Sequence, residues 1–324
     1  MCEVAGLGGI QFHMRIMEVR EFAEKVLFSE SLDEKLSPPS NKLTDEIKGE
    51  AIVSPTIPGR PDELIPSKRE KKNAFPSIHN IESSDDRAKL LHFLANHELI
   101  AAELMALVLL KFPQAPTAFR EGILKTLIEE QHHTLWYMKR MKSLGIKFGD
   151  QPVNGFIWNN IKDMVEPIDF VSRLSLTFEQ ANLDYSKFYA KKFHQCGDSI
   201  TARIFEKIYR DEIEHVNHGL HWFRLWKDQS KSDWEEWNKR LIFPLSPMRA
   251  KGGEFNRQGR RSAGLDKSYI DELSVYAKSR GRTPILYFYN PDAELEMASH
   301  GPYHPSKRIT KLIHDLEILP AFLS

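Results

Sequence analysis

The sequence predicts a mainly α-helical protein built on a four-helix bundle. Long segments with apolar residues at helical spacing run through the middle of the 324-residue chain. Two of the joints between these segments are short, and the joint between the second and third is long. The motif Glu-x-x-His also occurs twice, at Glu130 and Glu212, and a lone glutamate precedes each copy by 32 or 33 residues. Four helices that direct such side chains inward are what a two-metal site in a bundle requires.

Residues 1–82 are predicted to form one helix followed by an extended arm. The helix covers about residues 16–28. The arm covers residues 38–76, which are polar and rich in proline. Proline lacks the amide hydrogen that a helix needs, so the segment is expected to be extended. The prolines that carry this expectation are Pro55, Pro58, Pro61 and Pro66.

Residues 83–230 are predicted to form the bundle itself, with helices A to D. Polar residues at 84–86 are suitable N-caps for helix A, and Pro113 stops it. The crossover between helices B and C, residues 146–166, is expected to be irregular. Two hairpins joined by one long crossover are the connectivity of a ferritin-like bundle. The helices are expected at about 83–111, 116–145, 167–197 and 198–227.

Residues 231–324 are predicted to form a small C-terminal extension. It begins with a glycine-containing loop at 249–261 that carries five basic residues and one acid. Such a loop could contact phosphates, although a solvated loop is the simpler interpretation. An apolar run at 284–289 predicts a buried strand, and short helices are expected after 291 and at 306–316.

Composition predicts a cytoplasmic protein that is not associated with a membrane and has no overall preference for polyanions, although local basic patches remain an alternative. Lys plus Arg equals Asp plus Glu, at 45 each, so no overall field attracts nucleic acid. Only two cysteines occur, which excludes a disulfide framework. The first thirty residues are charged throughout, unlike a signal peptide. No segment is expected to supply the roughly 20 apolar residues that cross a bilayer.

The strongest functional signal is a set of glutamates and histidines on the apolar stripes of the four helices. A carboxylate on a core-facing stripe is costly unless it is paired or bound to a cation. Two divalent cations would neutralise four carboxylates and two neutral imidazoles. Oxygen donors with one nitrogen per metal favour iron, with manganese or a mixed iron and manganese pair as alternatives. The predicted metal ligands are Glu98, Glu130, His133, Glu179, Glu212 and His215.

Further residues are assigned around this set. A metal-bound imidazole donates its other N–H to an acid or a carbonyl. Asp211 is therefore predicted to support His133, and Glu129 to support His215, each across the two halves. Tyr137 is expected near the centre, although a core aromatic is the simpler role. Glu103 and Glu214 are expected on exposed helix faces, and the remaining bundle histidines in solvent or at caps: His92, His97, His132, His194, His218 and His221.

Several runs of the chain carry a family resemblance. They are PGRP at 58–61, LLHFLANHELIAAELMALVLLKFP at 90–113, IEEQHH at 128–133, YRDEIEHVNHGLHWF at 209–223 and FNRQGRRSAGL at 255–265. The Glu-x-x-His runs resemble the ferritin-like di-metal carboxylate superfamily. All five runs together resemble most the ferritin-like family known as domain of unknown function 455. This resemblance covers about residues 55–270 and implies that none of the six ligands is missing.

The function expected from the residues and the resemblance is an O2-dependent oxidoreductase with a di-iron centre. Glu98 and Glu179 would be terminal ligands, Glu130 and Glu212 bridges. The substrate would be a small organic molecule, and electrons would come from an external donor, since no flavin or nicotinamide motif is present. The alternatives are hydroxylation of a modified nucleoside in transfer RNA, for which the basic 249–261 run is the support, and metal storage or peroxide scavenging. A homodimer is compatible with the sequence.

Overall fold

The computed structural model describes residues 17–66, 81, 83–278, 292–299 and 301–316. These residues are mainly helical, which confirms the predicted fold class at that level. The described part contains no β-strand, only an isolated bridge between Glu18 and Thr44. The strand predicted at 284–289 lies outside the described residues. The chain divides into two compact units, Met1–Ala277 and Lys278–Ser324.

The N-terminal segment begins with helix α1, Val19–Phe28, which packs on the third helix of the chain. Glu18 and Glu21 form a capping box at its start, each satisfying a backbone amide of the first turn. A short helix α2, Leu32–Lys35, follows. The arm is then irregular up to residue 66 apart from one 3₁₀ turn, Asp62–Leu64, and the rest of the predicted arm is outside the described residues.

Helix α3, Ser84–Lys111, buries 20 of its 28 residues. The Ser83 hydroxyl, one residue before the predicted caps, accepts from the amide of Asp86. By length and composition this helix could cross a membrane, so the expectation that no segment reaches that threshold is wrong. However, 89% of its most apolar window is buried inside the protein, and a helix that is apolar all round is also what a protein core contains.

The other three long helices complete two packed pairs. Helix α4, Thr117–Ser143, packs along α3. Helix α6, Pro167–Phe170, continues through a π-helical stretch, Val171–Glu179, into helix α7, Gln180–Gln195. Helix α8, Ser199–Trp226, packs along α7 and also contacts α4. All four predicted long helices are therefore present, within a few residues of their expected bounds.

The π-helical stretch is the irregular part of the third long helix. Thr177 donates its hydroxyl to the carbonyl of Ser172, five residues earlier. The indole N–H of Trp237, which is fully buried, donates to the same carbonyl. These contacts occupy backbone groups that an ordinary α-helix would pair internally. The stretch ends at Glu179, one of the predicted metal ligands.

Several short helices occur where the sequence analysis expects irregular chain. Helix α5, Phe156–Ile161, interrupts the B–C crossover and buries three of its six residues. A 3₁₀ turn, Pro247–Ala250, and helix α10, Arg257–Ser262, replace much of the expected 249–261 loop. These elements are too short for periodicity to reveal them. Helices α9, Asp233–Arg240, and α11, Lys267–Lys278, were also not predicted.

The C-terminal unit contains two described helices, both near their predicted positions. Helix α12 covers Ala293–Met297, and helix α13 covers Lys307–Leu316. The sequence predicts helices after residue 291 and at 306–316, and both predictions are confirmed for the described residues.

Candidate metal centre

The six predicted ligands converge in the interior of the first unit. Each is at most 4% exposed, although all are ionisable. Side chains of this kind are almost never fully buried without a partner. Glu98 comes from α3, Glu130 and His133 from α4, Glu179 from the end of the π-helical stretch, and Glu212 and His215 from α8.

The six residues form two overlapping groups of ligand atoms. In each group the atoms lie within 4.8 Å of one another. The first group contains Glu98, Glu130, His133 and Glu212, and the second contains Glu130, Glu179 and His215. Glu130 belongs to both groups, so its carboxylate stands between them.

Glu130 directs its two oxygens to different histidines. Its Oε2 lies 3.4 Å from Nδ1 of His133, and its Oε1 lies 3.1 Å from Nδ1 of His215. Glu212 reaches both groups as well, because its Oε2 is 3.7 Å from Nδ1 of His215. None of these nitrogen or oxygen atoms has a hydrogen-bond partner among the described residues. Both oxygens of Glu179 are likewise unpartnered. Five carboxylate oxygens and two ring nitrogens are thus buried in this cluster without a hydrogen-bond partner among the described residues.

The outer nitrogens of the two histidines meet acids from the opposite motif. Nε2 of His133 lies 3.1 Å from Oδ2 of Asp211, and Nε2 of His215 lies 3.0 Å from Oε2 of Glu129. These are the two pairings that the sequence predicts. Each contact holds the ring with Nδ1 toward the glutamates, which is how an acid orients a histidine for a cation. Asp211 also accepts from Lys207.

Burial and mutual charge shift the titration of the cluster strongly. Burial, reinforced by the charge of Glu130, raises the pKa of Glu98 well above its ordinary value. Burial raises the pKa of Glu179 to about 8, although His215 opposes this. Burial opposes protonation of His133, but the charge of Glu130 and the hydrogen bond with Asp211 raise its pKa to about 9. The cluster alone therefore retains protons near neutral pH, and cation binding would displace them.

A cavity of about 230 Å³ opens onto the glutamates. Its floor contains all four predicted glutamate ligands, and its wall is mainly aliphatic and aromatic. Two basic residues line the same cavity: Arg249, within the 3₁₀ turn Pro247–Ala250, and Lys251, directly after it. His97 lines it too, so the expectation that this histidine lies in solvent or at a cap is wrong. The cavity connects the ligand cluster with a cationic part of the wall.

Asn182 is a contact to the cluster that the sequence analysis missed. Its side-chain amide donates to Oε1 of Glu212 at 2.8 Å. The residue lies three positions after Glu179, a spacing at which helical side chains share a face, and this could have revealed it. Tyr137 is 1% exposed and packs against Phe205. Burial, followed by the charge of Glu98, raises the pKa of Tyr137 well above its ordinary value, so it lies within electrostatic reach of the cluster.

Glu103 is not on an exposed face, contrary to expectation. It is fully buried and pairs with Arg60 at 2.6 Å and with Lys35 at 3.2 Å. Arg60 also donates to Asn96. Arg60 lies in the PGRP run of the arm, so these buried contacts attach the arm to α3. Arg60 and Glu103 are 43 residues apart in sequence, which is why a helical stripe alone could not predict their contact.

The other histidines have structural surroundings. His92 is 2% exposed, and its Nε2 accepts from the amides of Gly149 and Gln151, a loop-capping role within the predicted alternatives. His218 is half-buried and stacks on Phe119. His194 pairs with Glu206 at the surface. His132 is half-buried, and His221 and Glu214 are both exposed, as expected.

Comparisons with known proteins place the chain in a family without assigning it an activity. The family model described as "Protein of unknown function (DUF455)" matches residues 17–271. An uncharacterized protein of Haemophilus influenzae is 27% identical over 158 residues, which is 48% of this chain and 54% of that protein. The chain thus spans about half the length of this curated relative. No solved structure matches.

Proposed function

The chain belongs to the family described as "Protein of unknown function (DUF455)", and we propose that it is a di-metal carboxylate protein that oxidises a small organic substrate with O2. The observation that carries this proposal is the position of Glu130 between two buried ligand groups. A carboxylate shared by two cation positions is the defining contact of a dinuclear site.

The fold that accompanies this proposal is a ferritin-like four-helix bundle. The proposed bundle consists of α3, α4, the continuous helix formed by α6, the π-helical stretch and α7, and finally α8. Each contributes a carboxylate, and α4 and α8 also contribute a histidine three residues further on. This distribution matches the ligand pattern of ferritin-like carboxylate proteins. The packing of α3 on α4 and of α7 on α8 supports it.

The donor atoms of the cluster suit two divalent cations, because they do not satisfy one another by hydrogen bonding. Three of the four glutamates have buried oxygens without a hydrogen-bond partner among the described residues. Leaving a buried carboxylate unpaired costs several kcal/mol, on the order of the effective penalty per buried ion. Two dications with four carboxylates and two neutral imidazoles form a neutral set. Hard oxygen donors with one nitrogen per metal favour iron, or manganese in one or both positions.

The chain's own residues would hold and shield this centre. Glu130 and Glu212 would bridge the metals, Glu98 and Glu179 would each bind one, and His133 and His215 would supply one nitrogen each. The centre would supply the oxidising chemistry with O2, using electrons from an external donor. Glu129 and Asp211 orient the histidines, and the apolar cavity wall excludes water from the substrate.

The cavity favours an enzyme over metal storage. A storage centre needs a path for ions, whereas this cavity combines an apolar wall with two basic residues beside the glutamates. The basic 249–261 segment gives little support to the transfer RNA alternative. Two of its five basic residues are already paired, Arg257 with Asp271 and Arg260 with Asp184 in the interior.

The proposal is tested by anaerobic loading of the full chain with Fe(II). The expected result is two iron ions per chain and Mössbauer spectra that change from ferrous to spin-coupled ferric iron when O2 is added. The Glu130→Ala variant is expected to lose this signal. Substoichiometric iron without spin coupling, unchanged in Glu130→Ala, would contradict the proposal.

A further inference from the structure

We infer that the cavity selects a small amphipathic organic anion, whose carboxylate or phosphate group is bound by Lys251 and Arg249 while its apolar part lies against the wall that leads to the glutamates. This inference rests on the proposed function and specifies its substrate class. No sequence motif assigns such a site, because the basic segment 249–261 by itself is also typical of a solvated loop.

Lys251 is a buried basic residue in the cavity wall. It is 7% exposed and lines the cavity, and its Nζ has no hydrogen-bond partner among the described residues. Burial, followed by the nearby charge of Arg260, lowers the pKa of Lys251. An ammonium group in this position is costly for the protein unless an anion compensates it. A ligand in the cavity can supply that anion.

Asp184 is the acid whose charge acts on Lys251, but its oxygens already accept hydrogen bonds from other groups. Asp184 accepts from the amide of Gly252 at 2.8 Å and from the amide of Asn256 at 2.6 Å. Both of its oxygens also accept from the guanidinium of Arg260, at 2.6 and 2.9 Å. Four donors saturate a carboxylate, which has about four lone-pair positions. Asp184 therefore neutralises Arg260 and leaves Lys251 uncompensated.

Arg249 provides a second, accessible cation at the same cavity. It is exposed, and its guanidinium lies 4.5 Å from the centre of the Phe156 ring. Within the described part of the chain it makes no ion pair. A guanidinium held over an aromatic face keeps its in-plane N–H groups available for an anion. The cavity thus offers an anion two cationic hydrogen-bond donors, the exposed Arg249 and the buried Lys251.

The segment that carries both cations is fixed rather than loose. Arg260 donates to the carbonyl of Ala250 at 2.8 Å, between the two basic residues. Gly252 lies so close to α7 that an added Cβ would stand 3.0 Å from Asp184 and 3.2 Å from Tyr185. The 3₁₀ turn Pro247–Ala250, which contains Arg249, contacts the π-helical stretch. Preorganised donors of this kind lose little entropy on binding.

The charge balance of the cavity favours an anion once the metals are bound. With two divalent cations bound, the glutamates and histidines form a neutral set, and the two basic residues then give the cavity a net positive charge. The cavity volume, about 230 Å³, is below the usual 300–1,000 Å³ of ligand sites, so the anion is small. Its apolar wall includes Phe93, Leu94, Ile157, Leu174 and Phe178.

The test is calorimetric titration of the Mn(II)-loaded full chain with three probes: hexanoate, hexyl phosphate and 1-hexanol. At least one of the two anions is expected to bind about tenfold or more tightly than the alcohol, since a charged hydrogen bond contributes about 1.5–3 kcal/mol. The stronger anion identifies the head group. Lys251→Met and Arg249→Leu are each expected to weaken that anion about tenfold without changing binding of 1-hexanol.

Two matched controls change basic residues near the cavity segment in sequence, one within 249–261 and one in helix α11. Lys267→Met and Arg261→Leu change exposed residues outside the cavity wall and are expected to bind the anion like the parent. Lys251→Met is expected to unfold at the same denaturant concentration or a higher one, because it removes an unpaired buried charge. Elemental analysis reports the metal content of every sample.

The outcomes separate the two claims. Two metal ions per chain with equal binding of anions and alcohol would overturn this inference and leave the proposed function intact. Anion binding that persists in both cavity variants would overturn it too, because the anion would then bind the metals directly. A chain that binds no metal would overturn the proposed function, and this inference with it.

Discussion

Oδ2 of Asp211 lies 3.1 Å from Nε2 of His133, although Asp211 directly precedes one Glu-x-x-His motif and His133 belongs to the other. Glu129 stands in the same relation to His215 at 3.0 Å. In both cases the acid directly before one motif orients the histidine of the other. The two halves are thus interdependent, and a change outside the six ligands should alter how both cations are bound.

Asp211→Leu is expected to lower metal affinity about 10–100-fold, the usual effect of losing an acid that orients a metal-bound histidine. Competition with a chromophoric chelator measures it. Lys207→Met is the matched control, because it removes the other partner of Asp211 and leaves the contact with His133. Equal affinities of the two variants would show that Asp211 does not act through His133.

The shared position of Glu130 predicts an asymmetry in metal stoichiometry. Glu130→Ala is expected to lose both ions, because the residue belongs to both ligand groups. Glu98→Ala and Glu179→Ala each affect one group and are expected to retain about one ion per chain, on the ligand counts usual for such sites. Elemental analysis of gel-filtered protein measures this. Retention of two ions by Glu130→Ala would contradict a shared ligand.

The convergence of the four glutamates and two histidines was predictable from the sequence because their spacing is periodic and repeated. Glu98, Glu130 and Glu212 lie on clean apolar stripes of α-helices, and the structure brings them together. The stripe through Glu179 is less clean for a physical reason. The π-helical stretch before it widens the turn, so the 3.6-residue period used for the other helices does not hold there.

The contacts that sequence reasoning missed are those between distant segments. Nothing local distinguishes Arg260, which is fully buried, from Arg261, which is exposed. The difference arises from Asp184, 76 residues earlier. Glu103 is similar, because its burial depends on Arg60 in the arm. Pairings of this kind follow from how helices and loops pack, which a single sequence does not encode as a pattern.

The Arg260 and Asp184 pair is expected to hold the cavity wall in place. Arg260→Met is expected to lower the free energy of unfolding by about 3–5 kcal/mol, because it leaves a buried carboxylate uncompensated. The double variant Arg260→Met with Asp184→Leu should recover part of this loss. Arg257→Met removes a half-exposed pair with Asp271 and should cost at most about 1 kcal/mol. Urea denaturation measures all three, and equal effects of Arg257→Met and Arg260→Met would contradict the assignment.

His92 predicts that stability declines in mild acid. The residue is buried, and its Nε2 accepts from the amides of Gly149 and Gln151, so it must be neutral. Burial lowers the pKa of His92 to about 4, although Asp150 opposes this. The unfolded chain has a pKa of about 6.5 and binds the proton more readily. The contribution of neutral His92 to the free energy of unfolding is therefore fully present above about pH 6.5 and is lost as the pH falls toward about 4.

The measurement compares metal-stripped parent and His92→Gln by urea denaturation at about pH 7.5 and about pH 5. Glutamine keeps an acceptor but does not titrate. The parent is expected to lose about 1–2 kcal/mol more stability between these pH values than the variant does. His97 and His218, whose pKa values burial also lowers to about 4, are present in both proteins and cancel in the comparison. Equal losses in the two proteins would show that His92 is not the group that titrates, because only its proton differs between them.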